Sequence, residues 1–168
     1  MKSALKFIAF AFLTIAPLST YAQSNVAHIN VQQLISEMPE VIAAQNELAK
    51  LEKDYTTQID NAFKEFQTKA QSYSADAANQ TDVTNQARQK ELESMQTNLQ
   101  EFRDSAAQEL QKKQMDLMTP LLEKARNAIT KVGQEQGFDY VIDASPNGGI
   151  ILADGKDLIE DVKRELGF

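Results

Sequence analysis

The side chains that could carry chemistry are few, and their placement says what they cannot do. His28 is the single histidine of a 168-residue chain that has no cysteine. A metal site or a general base needs a second strong ligand or a nucleophile beside it, and VAHINV, residues 26–31, supplies neither. His28 therefore reads as a structural or interface residue. Glu91 and Glu93 stand two apart, which on a helix sends them to different faces and leaves them as solvated surface. Gly148 and Gly149 read as a turn, since no helix follows them to receive a phosphate. No catalytic residue, no cofactor site and no metal site emerges. What remains is adhesive chemistry. Phe63, Phe66, Tyr73, Met95, Phe102, Met115 and Met118 are soft or aromatic side chains able to contact varied apolar partners. At helical spacing, their plainer use is packing between helices.

Two long helices must position them. From Leu48 to Tyr73, and again from Leu92 to Val132 with a polar break at Gln114, apolar residues recur close to every 3.6 positions, and neither stretch contains glycine. Between them lies QSYSADAANQTDVTNQ, residues 71–86, small and polar, with Ser74, Thr81 and Asp82 available as caps, which sets a tip near 74–82. A second helix from about Asp82 to Gln136, stopped by Gly137, would extend about 80 Å at 1.5 Å per residue. No compact domain of this size is that long, so the two helices fold back on each other as an antiparallel hairpin, an arm over residues 39–132. Pairs such as Asp60–Lys64, Glu65–Lys69 and Glu109–Lys113 stand in the favoured i, i+4 order and form a solvated face. Pro120 either bends the second helix or starts a new one behind a Thr119 cap; in both cases it marks a hinge near the arm's base.

The body is left with residues 26–38 and 133–168, 49 in all. VAHINV reads as a strand, NVQQLISEMP as a short helix ending before Pro39, and a last helix begins at Asp157 with Glu160 completing a capping box. DYVIDASPNGGIILADG, residues 139–155, reads as a β-hairpin turning around Pro146–Gly149. Val26, Ile29, Val31, Val141, Ile142, Ile150, Ile151 and Leu152 then put apolar groups on both faces of a sheet of about three strands. A body this small lies below the roughly 60 residues at which burial is already marginal. Several copies are therefore expected to pool these strands into a shared core.

Residues 1–22 carry Lys2 and Lys6, an apolar run from Phe7 to Leu18 and a cleavage context at Thr20–Ala22, the pattern of a secretory signal, too short to span a bilayer. The mature chain, residues 23–168, is then one exported domain without a membrane anchor. The whole chain has 17 basic and 24 acidic side chains, and loss of Lys2 and Lys6 takes the formal charge from −7 to −9. That excludes a general nucleic-acid binder, which needs cationic clusters.

VAHINVQQLISEMPEVIAAQNEL, a long helical hairpin, and then GFDYVIDASPNGGIILADGKDLIEDV: in this order the parts resemble the Skp (OmpH) family of periplasmic chaperones over essentially all of residues 23–168. The resemblance implies an α+β, mostly helical fold, with helical tentacles projecting from a small β body completed by trimerisation. It also implies a homotrimer that holds unfolded outer-membrane proteins between its arms, without ATP. Relatives carry basic tentacle tips that meet lipopolysaccharide; here residues 71–90 hold Asp76, Asp82, Arg88 and Lys90, balanced in charge, so no such site is carried over. The competing class is an exported coiled-coil adaptor for one defined envelope partner. It would display a strict heptad seam, whereas these stripes average near 3.6.

Overall fold

The computed structural model describes residues 24–146 and 148–168. The signal reading of residues 1–22 lies outside them. Strand β1 (Val26–Ile29) is followed by α1 (Val31–Glu37), α2 (Pro39–Asp76), a 3₁₀ turn (Ala77–Asn79), α3 (Asp82–Glu135), β2 (Tyr140–Asp143), β3 (Lys156–Asp157) and α4 (Ile159–Leu166). The arm is α2 against α3, closed at its tip by the 3₁₀ turn and by Thr81, whose side chain accepts from the Thr84 amide at 3.2 Å. Asn30 caps α1 in the same way through Gln33 N, and Pro39 opens α2 where its missing N–H costs nothing. Gly137 stands at φ +74° just past α3, the left-handed stop read from the sequence.

The sheet differs from the hairpin expected around Pro146–Gly149. Its order is β2-β1-β3, with both outer strands parallel to β1: Val26 is level with Tyr140, Ile29 with Asp143, and His28 with Asp157. Parallel neighbours need a crossover rather than a tight turn. Residues 144–155 are that crossover, so Ile150, Ile151 and Leu152 lie in an irregular connection and the third strand is Lys156–Asp157. The local turn signal is real, since Gly149 has φ +76° and Gly148 N donates to Ser145 O at 2.7 Å. It bends the chain away from β2 instead of returning it along β2. The last helix also begins differently: Asp157 accepts from Ile159 N at 2.9 Å while Glu160 pairs with Lys163, so the capping box does not form.

The interior is not confined to the 49 body residues. Ala27 and Ile29 of β1, Leu34 of α1, Leu158 and Val162 at α4 pack with Val41 of α2 and with Ala125, Ala128 and Val132 of α3. The arm's root thus supplies one wall of the body's core, which a division into arm and body at residues 39 and 132 misses. Gly133 lets α3 approach β2 closely, because a Cβ there would stand 2.7 Å from Val141 Cγ2.

Candidate functional site

Along the arm, inward positions of α2 recur every seven residues: Val41, Leu48, Tyr55, Ala62, Lys69 and Asp76 are all buried or half-buried. That is a heptad seam, closer to 3.5 than the 3.6 read from the sequence, and α3 consumes it internally. Polar groups clasp the two helices at intervals. Glu40 pairs with Lys124, Glu47 with Lys113 at 2.7 Å, Tyr55 donates to Glu109, Lys69 pairs with Glu91 at 2.6 Å, and Asp76 with Arg88 at 3.0 Å. Glu109 and Lys113 therefore reach across the arm rather than to each other, and Lys69 sits 2.6 Å from Glu91 but 3.9 Å from Glu65. These charges join the two helices, where the i, i+4 reading made them a solvated face.

Near the tip the clasp is a network. Glu91 accepts from both Lys69 and the Tyr73 hydroxyl, each at 2.6 Å, and the Arg88 guanidinium lies 4.7 Å from the Tyr73 ring centroid. The Lys69 ammonium, and then the Tyr73 hydroxyl, hold the Glu91 carboxyl below its ordinary value, and Glu91 in turn raises Tyr73. Arg88, with Asn79 and Gln80, lowers Asp76 likewise. The two cations Lys69 and Arg88 are thus held in internal pairs.

The seven soft side chains separate into two groups. Phe63 and Met115 are exposed, at 40% and 54%. Phe66, Tyr73, Met95, Phe102 and Met118 are half-buried, Phe102 edge-on to Tyr55 with ring centroids 6.0 Å apart and Met118 against the body core. Sequence reasoning missed Ile42 and Leu122, exposed aliphatic groups beside the seam; the signal was their offset by one position from the buried Val41 and, on α3, the half-buried Leu121. Met115, Leu122 and Ile129 are spaced by seven and so share one face of α3. At its lower end that face opens into a groove of 660 Å³ between α1, α3 and β2, lined by Ile29, Val31, Ile35, Leu122, Ile129 and Val141 among others.

The residues expected at an oligomer core are likewise divided. Ile29 is buried within the chain itself, and Val31 and Val141 pack partly against the same interior. Val26, Ile142, Ile150, Ile151 and Leu152 are exposed. At the end of β2, Ser145 is buried. Its hydroxyl lies 2.5 Å from Asp143 Oδ1 and 3.1 Å from Asn30 Oδ1, and accepts from Gln32 N at 3.1 Å. Burial alone would raise the Asp143 carboxyl, yet the Ser145 hydroxyl and amide and the Val31 amide outweigh it and hold it below its ordinary value.

At the body's other side, Lys156 and then Gln136 lower Asp161 to about 2. Lys163 holds Glu37 down, and Lys124 holds Glu40 down. A carboxyl depressed in the folded chain contributes stability above its unfolded value and loses it as pH falls through the folded one. Melting temperature is therefore expected to be level near neutrality, to fall as pH drops below about 4.5, the ordinary glutamate value, and to keep falling toward pH 2. Thermal unfolding followed by circular dichroism between pH 7 and 2.5 checks this. A curve level down to pH 3, or one that Asp161→Asn leaves unchanged at its acid end, contradicts it.

Among the described residues no helix is long and apolar enough to cross a membrane, and no group of three or more His, Cys, Asp or Glu side chains is placed to hold a metal ion. Residues 25–166 match the family model described as outer membrane protein (OmpH-like). The chain is 26% identical to the chaperone protein Skp of Yersinia enterocolitica over 92% of this chain and 93% of that one. It is 20% identical to the chaperone protein Skp of Pectobacterium atrosepticum over 99% of each. Its fold matches a crystal structure described as an outer membrane chaperone (OmpH-like) from Caulobacter crescentus CB15, with a TM-score of 0.75 and 12% identity, covering 86% of this chain and 85% of that one.

Proposed function

Because the chain belongs to the OmpH-like family, matched over residues 25–166, we propose that it is a periplasmic holdase. In this reading it is exported, cleaved near Ala22, and assembled as a homotrimer whose arms enclose unfolded outer-membrane proteins without ATP. It is a binding protein, not an enzyme, and takes neither a cofactor nor nucleic acid.

The observation that carries the reading is an arm whose seam is filled from within while Phe63, Met115 and Leu122 stay exposed beside it. Many weak apolar contacts on a movable support hold diverse chains without selecting one conformation. They lower the concentration of free unfolded chain by mass action. The adaptor reading needs a seam displayed to an outside partner, and α3 already occupies the heptad face of α2. Pro120, inside α3 and above the body core, is the proposed pivot of the arm.

Light scattering tests the proposal. At a ratio of one assembly to one unfolded porin, diluted from denaturant, the protein is expected to suppress aggregation with no nucleotide present. Scattering equal to that of porin alone would refute it.

A further inference from the structure

The chain has no cysteine, so all of its sulfur is carried by five methionines. A thioether is soft and polarisable, and an oxidant converts it to a polar sulfoxide wherever it can reach the sulfur. The fold sorts the five by access. Met1 belongs to the segment read as a cleaved signal, and Met38 is fully buried between the end of α1 and the start of α2. Met95 and Met118 on α3 are half-buried, Met118 against the body core. Met115 is 54% exposed. One turn before and after it, Gln111 and Thr119 are exposed as well, so a small oxidant reaches this side chain from solvent without any opening of the arm.

Met115 also stands where a change of polarity is felt. It shares a face of α3 with Leu122 and Ile129, the face that leads down to the groove at the arm's root, and it stands further into solvent than Leu122. Charge is gathered elsewhere. Glu40 and Glu47, the clasps to Lys124 and Lys113, come one position before the seam residues Val41 and Leu48, whereas Ile42 and Phe63 come one position after Val41 and Ala62. On a helix those offsets point to opposite flanks of α2, so clasps and bare apolar groups are kept apart. Soft groups on the arm are therefore few, and only Met115 among the exposed ones can be made polar by a single chemical step.

We propose that Met115 is an oxidation site through which peroxides loosen the arm's hold on unfolded chains. The inference rests on the holdase reading above and adds a regulation of the same surface. The sulfur lone pair attacks one oxygen of hydrogen peroxide and the O–O bond breaks. That oxygen stays on sulfur, the other leaves as water with both protons, and the two electrons lost by sulfur reduce the peroxide. The product is a sulfoxide whose oxygen is a strong acceptor. Against an apolar stretch of client it must give up its water without gaining a donor, which makes the contact unfavourable. No backbone bond changes, and sulfoxide reductases return the thioether.

The protein without residues 1–22 is treated with hydrogen peroxide, and peptide mass maps taken over time show which methionine gains an oxygen. Met115 is expected first, Met95 and Met118 later, and Met38 not at all while helical circular dichroism persists. Suppression of porin aggregation is then measured for wild type and for Met115→Leu, each compared with its own untreated level. In wild type the concentration needed for half-suppression should rise about threefold to tenfold, in step with the Met115 sulfoxide. It should return after incubation with methionine sulfoxide reductases of both stereospecificities. In Met115→Leu the same treatment should leave it where it was. Earlier oxidation of Met95 or Met118, unchanged holding by wild type fully oxidised at Met115, or an equal loss in Met115→Leu overturns the switch and leaves the holdase reading standing. Untreated wild type that fails to suppress porin aggregation overturns both.

Discussion

Leu34→Ala should cost about 2–5 kcal/mol, the range for removing a fully buried leucine from a core that cannot collapse around the gap. Leu34 has no accessible surface and sits where β1, α1, the roots of α2 and α3, and α4 meet. That cost is a large share of the 5–15 kcal/mol that ordinary domains possess. The effect should be uneven along the chain. The heptad seam and the clasps at Tyr55, Lys69 and Asp76 lie far up the arm and do not depend on Leu34. Hydrogen exchange should therefore show β1, α4 and the lower turns of α3 losing protection together, while the upper arm keeps its own. Urea midpoints of the variant and wild type measure the total. A loss below 1 kcal/mol, or uniform loss of protection along the arm, would mean that the body and the arm root are not one interior.

Much of this was open to inspection in the sequence, and the part that was not has a physical reason. Helix ends are chemical events read locally. Pro39, Thr81 and Gly137 mark them where the structure has them, because a missing N–H, a side-chain acceptor and a left-handed backbone act on their neighbours alone. Strand pairing is not local. DYVID and GIIL around a glycine turn are compatible with an antiparallel return, and nothing in those residues reveals that β1, more than a hundred positions earlier, takes both neighbours in parallel. The same blindness hid the shared core: Val41, Ala125, Ala128 and Val132 have the pattern of arm seam residues, and only the fold shows that the lower part of the seam belongs to the body.

The candidate contacts failed to separate for a related reason. Phe63 and Phe66 are both aromatic, three positions apart on one helix, but only one of them turns into the seam. Periodicity ranks positions by the stripe they belong to, and a side chain at the stripe's margin is assigned only when its partner helix is placed. The charges show a third limit. Lys69 had a good partner in Glu65 one turn away, yet the closer contact is with Glu91 on the other helix. Pairs exposed to water differ little in energy, so the tertiary fold decides among them.

Pro120→Ala is expected to stabilise the isolated arm and to impair its work. α3 runs without interruption through Pro120, so the helix forgoes the bond that an amide at this position would donate to the Asp116 carbonyl and accommodates the ring against the preceding turn. Alanine restores that donor, and the difference between the two residues inside a helix is about 3 kcal/mol. Some of this is offset because proline also restricts the unfolded chain, by about 0.4–1 kcal/mol. A rise in melting temperature on the order of 5–10 °C should follow for a domain of this length. If Pro120 is the pivot, a stiffer α3 admits fewer arm positions, and suppression of porin aggregation should weaken most for the largest clients while the assembly's native mass stays the same. Two measurements judge the idea together. A lower melting temperature would show that the ring's packing beside Ala128 and Leu166, with which it lines a shallow cleft, outweighs the lost bond. A higher one with unchanged holding of large and small porins alike would show that the arm needs no hinge at Pro120.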